Sequence, residues 1–436
     1  FIRMNRLQNK LEVLIAEALS GQTRVLMTEE DAAYIDITDD WHFFKDGKSM
    51  LWSSEKNGFR HLYLHDLNTG KQINMLSSGN WEVLEVYGVD EARGRILFSS
   101  NEADPIGKSV WACDLKSGRR SRLSPEKGST TLKYDPGFNW LVFYHSEGNR
   151  PGRVSLHAHD GKEVRELEGN KALLGRMEEY AIAKKEFMTI KTAEGTELNA
   201  WMMKPVNFDA SKKYPLVFAI YGGPGHNQVV NQFDGSNFFW HQMLCQKGFI
   251  VVSVDNRGTG MRGADFRKST YKQLGHLETL DQIAAARYFA NMPYIDAQRI
   301  GIQGWSFGGY LSSLCITKGA DVFKAAIAVA PVTSWRYYDS IYTERFLQTP
   351  QLNPSGYDDN SPINFVSSLK GAYLLAHGTA DDNVHFQNTV EMCNALIKAN
   401  KQFDLALYPD KNHGIGGSAA RLHLYTKMTD FLIKNL

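Results

Sequence analysis

No apolar run in the sequence approaches the ~18 residues that a membrane-spanning helix needs, so we expect no membrane span in this chain. Cysteine is scarce and scattered, because Cys113, Cys245, Cys315 and Cys393 form no C-x-x-C pair. That spacing argues against a disulfide framework and predicts buried or half-buried thiols. An excess of charge of one sign is also lacking, since 49 Lys and Arg face 48 Asp and Glu for a net charge of +1. This balance indicates no nucleic-acid partner.

The beginning of the sequence carries no targeting signal. It opens at Phe1 without a Met, and the apolar stretch 11–19 contains Glu12 and Glu17, which the core of a signal peptide would not. We expect an N-terminal portion to precede these residues and to carry any signal, which leaves the compartment open. A length of 436 residues with 43% hydrophobic residues is typical of a globular protein with two domains.

A short turn sequence recurs in the first 170 residues and predicts a repeat architecture. The four copies begin at Ala18, Asp66, Asp114 and His159, with spacings of 48, 48 and 45 residues, and each ends in glycine. This period is the length of a four-stranded propeller blade. Residues 1–170 are therefore expected to be the C-terminal blades of a β-propeller, in which each blade buries its faces against its neighbours.

From residue 171 onward the pattern changes to alternating strands and helices. Strand-like runs are predicted at 186–190, 198–204, 215–221, 249–254, 299–303, 324–329, 372–376 and 403–408, and helices at 280–290, 309–317, 390–399 and 422–436. Most of these strands are continuously apolar, as strands covered on both faces are. The alternation predicts a mostly parallel, doubly wound sheet with active-site groups at the carboxyl ends of its strands.

The segment Gly304-Trp-Ser-Phe-Gly308 fits the pattern G-x-S-x-G between a predicted strand and a predicted helix. In α/β-hydrolases this pattern is a tight turn that exposes a serine hydroxyl above the sheet. A lone G-x-S-x-G is common by chance, but the flanking elements favour a nucleophile over a packing turn. We therefore predict that residues 171–436 form an α/β-hydrolase domain with Ser306 as its nucleophile.

A serine nucleophile needs a base and an acid that orients the base, and α/β-hydrolases supply them in the order Ser, acid, His. The predicted strand 372–376 leads to Asp381 and Asp382, of which one could be the acid and the other a helix cap. Position favours Asp381. His413 stands between the last predicted strand and helix and is the candidate base. His377 precedes the acid, in the wrong order, and we interpret it as structural.

The oxyanion hole of such a site needs two donors aimed at the substrate carbonyl oxygen. One is the backbone N–H of Phe307, the residue after the nucleophile. The loop Tyr221-Gly-Gly-Pro-Gly225, after an early strand, is expected to supply the second. Either its backbone or the hydroxyl of Tyr221 could be the donor, and the residues alone leave that choice open.

No cofactor and no metal is expected. Gly258-Thr-Gly-Met-Arg-Gly263 matches the G-x-G-x-x-G of dinucleotide sites, but the polar stretch after it is not expected to open an apolar-faced helix that could hold a pyrophosphate. The pairs His61/His65 and His157/His159 have no cysteine partners, so we interpret them as surface histidines.

Three longer segments resemble the dipeptidyl peptidase IV group of the prolyl oligopeptidase family of serine peptidases. They are Gly304-Trp-Ser-Phe-Gly-Gly-Tyr310, Tyr337-Tyr-Asp-Ser-Ile-Tyr-Thr-Glu-Arg345 and His377-Gly-Thr-Ala-Asp-Asp-Asn-Val-His-Phe386. The resemblance spans the hydrolase half and continues more weakly into the repeats, at 58–61 and 79–82. It departs at Phe307, where the family motif has Tyr, but the backbone N–H is unchanged.

The resemblance implies a role for further residues. It implies that Asp381 is the acid, that the Tyr221 hydroxyl is an oxyanion donor and that Asn383 holds a substrate carbonyl. It also implies a proline-sized pocket formed by Val332, Trp335, Tyr338, Tyr342 and Val384. Aromatic walls suit a flat pyrrolidine ring.

The implied activity is the release of N-terminal dipeptides with proline or alanine in second position, through an acyl-enzyme on Ser306. A prolyl tripeptidyl peptidase or an acylaminoacyl peptidase of the same family is the alternative. These alternatives stay open because the glutamate pair that binds the substrate amine in this group has no match in residues 1–171. The doublet Glu29-Glu30 stands in a different context. A non-catalytic binding homologue would lack the nucleophile or the base, and an esterase would not explain the tyrosine-rich pocket.

The implied partners are peptides with proline in second position and a second copy of the chain. The last predicted helix has more apolar residues than packing on the sheet needs, which fits a homodimer contact. These residues are Leu422, Leu424, Tyr425, Met428, Phe431, Leu432 and Leu436. The resemblance favours a periplasmic or extracellular location.

Overall fold

The chain, described over residues 1–436 in a computed structural model, folds as two units. The repeat unit comprises Phe1–Tyr180, Val230–Gly235 and Gly260–Lys268. The hydrolase unit comprises the remainder, Ala181–Val229, Ser236–Thr259 and Ser269–Leu436. The boundary placed between residues 170 and 171 from the sequence stays a prediction.

The repeat unit contains four antiparallel sheets in chain order, the first of three strands and the others of four. The first sheet is β1 (Ile2–Met4), β2 (Lys10–Ala16) and β3 (Thr23–Glu30), and the second is β4 (His42–Phe43), β5 (Ser49–Ser54), β6 (His61–Asp66) and β7 (Gln72–Met75). The third is β8 (Val83–Asp90), β9 (Arg95–Ser100), β10 (Ser109–Asp114) and β11 (Arg120–Arg122). The fourth is β12 (Ser129–Tyr134), β13 (Trp140–Glu147), β14 (Arg150–Ala158) and β15 (Glu163–Glu168), followed by helix α1 (Lys171–Glu179).

Each recurring turn of the sequence joins the last two strands of one sheet. The glycines that end these turns have φ between +68° and +87°, a left-handed conformation that favours glycine. In two copies the opening aspartate accepts hydrogen bonds from the turn itself, as Asp66 does from the backbone N–H groups of Asn68 and Thr69. The repeat predicted from the spacing of 48, 48 and 45 residues is therefore confirmed, and its shared feature is the glycine that each turn requires.

Successive sheets of the repeat unit pack against each other through hydrophobic clusters. Leu11 and Met50 belong to the cluster between the first and second sheets, and Leu62 and Phe98 to the cluster between the second and third. A third cluster joins β9 and β10 to β12 and β13. Each sheet thus buries its apolar face against the next, as the blades of a propeller do.

The interpretation of the paired histidines as surface residues is wrong for three of the four. His61, His65 and His157 are buried, and only His159 is exposed. Their ring nitrogens contact backbone carbonyls of nearby turns, for example His157 Nδ1 with the carbonyl oxygen of Gly161 at 2.9 Å. These hydrogen bonds make burial of a polar ring tolerable.

The hydrolase unit is built on one sheet of eight strands. They are β16 (Lys185–Lys191), β17 (Glu197–Met203), β18 (Tyr214–Ile220), β19 (Ile250–Val254), β20 (Ile295–Trp305), β21 (Ala325–Val329), β22 (Ala372–Gly378) and β23 (Asp404–Tyr408), in the spatial order β16-β17-β19-β18-β20-β21-β22-β23. The two pairings that involve β17 are antiparallel and the remaining five are parallel. The predicted fold class, a mostly parallel α/β-hydrolase sheet preceded by propeller blades, is confirmed.

Helices and 3₁₀ turns connect these strands. They are α2 (Ser236–Gln246), α3 (Ala264–Lys268), α4 (His276–Ala290), α5 (Phe307–Lys318), α6 (Ser340–Leu347), α7 (Pro354–Asp358), α8 (Gln387–Lys398) and α9 (Ser418–Asn435), with 3₁₀ turns at Trp335–Tyr337 and Pro362–Ser368. Of these elements, α3 belongs to the repeat unit. The stretch after the G-x-G-x-x-G sequence does form a helix, α3, but one of only five residues whose buried side chains are Ala264 and Arg267. None of the helices is both long and apolar enough to cross a membrane.

Candidate active site

Ser306 occupies the turn between strand β20 and helix α5, where its backbone takes φ 59° and ψ −117°. This conformation is strained for a non-glycine residue and is typical of a nucleophile turn. The turn closes so tightly that a Cβ on Gly304 would lie 2.3 Å from the backbone of Gly308, and a Cβ on Gly308 would lie 2.3 Å from the carbonyl oxygen of Ile220. The two glycines of the motif are thus needed for the backbone to make the turn.

Asp381 lies in the loop after β22, and its two carboxylate oxygens have different partners. Oδ1 accepts the backbone N–H groups of Asn383 and Val384, each at 3.0 Å. Oδ2 lies 2.8 Å from Nδ1 of His413, which comes from the loop between β23 and α9. The same side chain therefore caps its own loop and orients an imidazole, two roles that the sequence had distributed between Asp381 and Asp382. Asp382 itself is exposed.

His377, interpreted as structural from its order in the chain, also contacts the candidate acid. It is fully buried, and its Nε2 lies 3.0 Å from the same Oδ2 atom of Asp381. Burial alone would raise the pKa of Asp381, but the hydrogen bonds from His377, His413 and the Asn383 N–H outweigh it and hold that pKa well below its usual range. The carboxylate is therefore ionised throughout the neutral range.

The loop of the candidate base is tied to the strand of the candidate nucleophile. The indole N–H of Trp305, the residue before Ser306, donates to the backbone carbonyl of His413 at 2.9 Å. The imidazole of His413 is thus fixed from two directions, by this backbone contact and by Asp381.

Tyr221 follows β18 and lies beside the nucleophile turn. Its ring centroid is 6.0 Å from that of Phe307 and 4.5 Å from that of His226. Burial raises the pKa of Tyr221, so the phenol keeps its proton and can donate at neutral pH. Phe307 is the first residue of α5, and the N–H groups of the first helical turn have no partner within the helix. Both candidate donors thus belong to segments at the nucleophile turn, and their role at an oxyanion stays a prediction.

A buried amide network supports the Tyr221 loop, which sequence reasoning missed. The side-chain amide of Asn256 donates to the carbonyl oxygen of Gly222 at 2.9 Å, and the Asn256 carbonyl accepts from Gln282 at 3.0 Å. Asn256 and Gln282 are both fully buried. Asn256 lies in the loop directly after β19, and polar residues that follow a buried strand at its carboxyl end were the signal that could have identified it.

The three aromatic residues proposed for a proline pocket form one cluster. Trp335 is buried, and its ring lies 6.0 Å from Tyr338 and 6.2 Å from Tyr342 between centroids. The Tyr338 hydroxyl donates to Oδ1 of Asn383 at 2.6 Å, and burial raises the pKa of Tyr338 to about 12. Val332 and Val384 are buried as well. The structure thus brings the predicted site residues to the carboxyl edge of the sheet, while their catalytic roles stay predictions.

Two family models match the chain. That of the prolyl oligopeptidase family matches residues 236–436, and that of the dipeptidyl peptidase IV N-terminal region matches residues 1–151. Among similar proteins, a probable dipeptidyl-aminopeptidase B of Coccidioides posadasii (strain C735) is 32% identical over 98% of this chain and 48% of its own length. The prolyl endopeptidase FAP of Homo sapiens is 37% identical over 87% of this chain and 50% of its own length.

A solved structure is also similar. The crystal structure of Porphyromonas gingivalis dipeptidyl peptidase 4 superposes with a TM-score of 0.96 at 42% sequence identity, and the match covers 100% of this chain and 61% of that one. The chain thus spans about half of the length of the relatives named above.

Proposed function

This chain belongs to the prolyl oligopeptidase family of serine peptidases, in the dipeptidyl peptidase IV group, and we propose that residues 171–436 are the peptidase domain of an enzyme that releases N-terminal dipeptides. The second residue of the substrate would be proline or alanine. The observation that carries the proposal is the strained Ser306 turn together with the hydrogen-bonded pair of Asp381 and His413.

In the proposed mechanism His413 acts as the general base. Its Nδ1–H is held by Asp381, so Nε2 is left free to take the proton of the Ser306 hydroxyl. The serine oxygen then attacks the carbonyl carbon of the second substrate residue, and the carbonyl oxygen becomes an oxyanion. The Phe307 N–H and the Tyr221 hydroxyl donate to that oxyanion. Protonated His413 gives its proton to the leaving amine, which departs. Water then gives a proton to His413 and attacks the acyl carbon, and that proton passes to the Ser306 oxygen as the bond between this oxygen and the dipeptide breaks.

Selectivity for a small ring before the cleaved bond is proposed to come from the aromatic cluster. The rings of Tyr338 and Tyr342 meet nearly at right angles, 89°, with Trp335 behind them. Flat apolar walls of this kind exclude water and accept a pyrrolidine or a methyl group. Asn383 is proposed to donate to a substrate carbonyl with its amide nitrogen, since its Oδ1 already accepts from Tyr338.

The requirement for a free substrate amine is proposed to lie in residues outside this chain. A charged amine is selected by carboxylates held at a fixed distance from Ser306, and no acidic pair in residues 1–171 matches the group's pattern. Acetylation of the amine removes its charge and leaves a desolvated carboxylate pair unmatched, which typically costs several kcal/mol.

The test uses the full-length protein with Gly-Pro and Ala-Pro anilides, each with a free and with an acetylated amine. We expect efficient cleavage of the free forms and none of the acetylated forms. A serine-directed organophosphonate should label Ser306, and Ser306→Ala should abolish cleavage while leaving the melting temperature unchanged. Labelling at another serine would falsify the assignment of the nucleophile. Equal cleavage of free and acetylated anilides would instead favour an endopeptidase or acylaminoacyl peptidase.

We also propose that two copies of the chain associate at the β23 edge of the hydrolase sheet. β23 pairs with β22 on one side only, and Leu405 and Leu407 of this strand are exposed. The helices on either side of β23 in the chain expose Ile397 of α8 (67%) and Leu422 of α9 (71%). By contrast, Leu424, Met428, Phe431 and Leu432 are buried and pack within the unit. Exposed apolar residues on an unpaired edge strand and on the helices next to it in the chain support an interface between copies.

A further inference from the structure

We propose that His377 is a positioning residue for catalysis, which orients the Asp381 carboxylate for His413 and moderates the negative charge that His413 experiences. This proposal rests on the roles proposed above for Asp381 and His413, and it adds a third side chain to that pair. His377 does not face the substrate, so it acts through Asp381 alone.

The contacts of His377 leave its imidazole one orientation. Nε2 lies 3.0 Å from Oδ2 of Asp381 and 2.9 Å from the carbonyl oxygen of Val384, and Nδ1 lies 2.7 Å from Oγ1 of Thr389. The ring of Phe386 packs edge-on against it at 5.6 Å between centroids. The side chains of His377 and Asp381 are both 0% exposed, so water does not compete for these contacts.

The chemistry of the partners determines which ring nitrogen carries the proton. Both atoms near Nε2 are acceptors, a carboxylate oxygen and a carbonyl oxygen, so Nε2 must bear a hydrogen. The Thr389 hydroxyl can then donate to Nδ1, and the neutral ring is satisfied on both sides with a single proton. His377 is therefore a fixed donor to Asp381.

Oδ2 of Asp381 consequently receives two imidazole N–H groups, one from His377 and one from His413. Two donors at one oxygen, with two backbone donors at the other, leave the carboxylate no freedom to rotate. A second donor also disperses the charge on Oδ2 and weakens its attraction for protonated His413.

Loss of the His377 donor has two expected consequences. The carboxylate can turn away from His413, which lowers the rate of proton transfer from Ser306. The charge on Oδ2 is then less dispersed and attracts protonated His413 more strongly. The acid limb of the pH–rate profile, where the rate rises as the base loses its proton, therefore moves to higher pH. His377 contacts the ionisable Asp381, and Asp381 in turn contacts His413 and interacts electrostatically with the phenol of Tyr338. The neighbours of His377 on β23 and α8, Leu407 and Thr389, do not titrate.

The test compares two variants in which an amide side chain replaces His377 and keeps the contact of only one of its two ring nitrogens. The amide nitrogen of His377→Gln reaches the place of Nε2 and keeps the donor to Asp381. The shorter amide of His377→Asn lies near Nδ1, keeps the Thr389 contact and loses Asp381. Both variants are made in the full-length protein, and the rate of Ser306 labelling by an organophosphonate is measured from pH 5 to 9, together with the melting temperature.

We expect His377→Asn to label about 10-fold or more slowly than the wild type, as loss of a hydrogen bond to a charged group predicts. Its acid limb should move upward by roughly half a pH unit. The labelling rate of His377→Gln should stay within about 3-fold of the wild-type rate, and its acid limb should not move. Equal losses in the two variants, or an unshifted limb in His377→Asn, would overturn the proposal.

If His377→Asn fails to fold, His377→Met decides the question. Methionine has nearly the length of glutamine but cannot donate a hydrogen bond to Asp381, so labelling should be slower than in His377→Gln and the acid limb should move upward, and an unshifted limb there overturns the proposal. The proposed function fails separately: a wild-type protein that is not labelled at Ser306 rejects the catalytic assignment itself. Because labelling does not depend on the peptide cleaved, an error in the substrate class leaves this test intact.

Discussion

Replacing Tyr221 by Phe removes one hydroxyl from the candidate oxyanion hole and leaves the ring in place. The ring contacts His226 and Phe307, and Phe can keep both contacts. The hydroxyl itself makes no hydrogen bond within the protein, so its loss leaves no buried partner unsatisfied. The melting temperature of Tyr221→Phe should therefore match that of the wild type.

The catalytic effect of the same change should be large. The oxyanion would keep the Phe307 N–H and lose the second of its two donors, which lowers kcat on the order of 10²–10³, about 3–4 kcal/mol of transition-state stabilisation. KM should change little, since the neutral carbonyl of the bound substrate depends less on the donor than the oxyanion does.

The assay is steady-state cleavage of an Ala-Pro anilide by the full-length protein, with Tyr338→Phe as the matched control. Tyr338 also loses a hydroxyl, but this one binds Asn383 in the pocket and should affect KM more than kcat. A kcat for Tyr221→Phe within about 3-fold of the wild type would refute the donor role. A change in KM alone would make Tyr221 a wall of the pocket, with the second donor elsewhere in its loop.

Three further predictions concern stability, the amide network and assembly. Burial raises the pKa of Glu278 to about 8, whereas a glutamate in an unfolded chain has a pKa of ~4.3. Because the folded state holds this proton more tightly, the free energy of unfolding falls as the pH rises from 4 to 8. Glu278→Gln should remove this loss of stability, which is on the order of a few kcal/mol at pH 8.5. A variant whose melting temperature falls with pH as steeply as that of the wild type would contradict this prediction. Asn256→Asp replaces the donor to Gly222 by an acceptor and should lower kcat at least about 10-fold through Tyr221, whereas an unchanged kcat would separate this network from catalysis. Light scattering should find a dimer for the full-length protein and a monomer for Leu422→Asp; a wild-type monomer would reject the proposed interface.

Local patterns were enough to predict much of the fold. The repeat turns depend on a glycine with positive φ, and continuously apolar runs predicted the buried strands, because both signals lie within a few neighbouring residues. Helix α2 was missed, since Ser236–Gln246 is rich in aromatic residues and buries most of its surface, so no polar face marks its period. The buried histidines of the repeat unit were misjudged because their carbonyl partners lie in turns whose position depends on strand pairing.

The sequence by itself determined the nucleophile turn and the order of the candidate triad, because G-x-S-x-G and its flanking strand and helix are contiguous. Only the tertiary structure decided which atoms meet. His413 lies 32 residues beyond Asp381, and Gly222 lies 34 residues before Asn256, yet parallel pairing of β18 with β19 and of β22 with β23 brings their strand ends together. Contacts between the ends of neighbouring strands follow from the strand order of the sheet, which no local pattern contains.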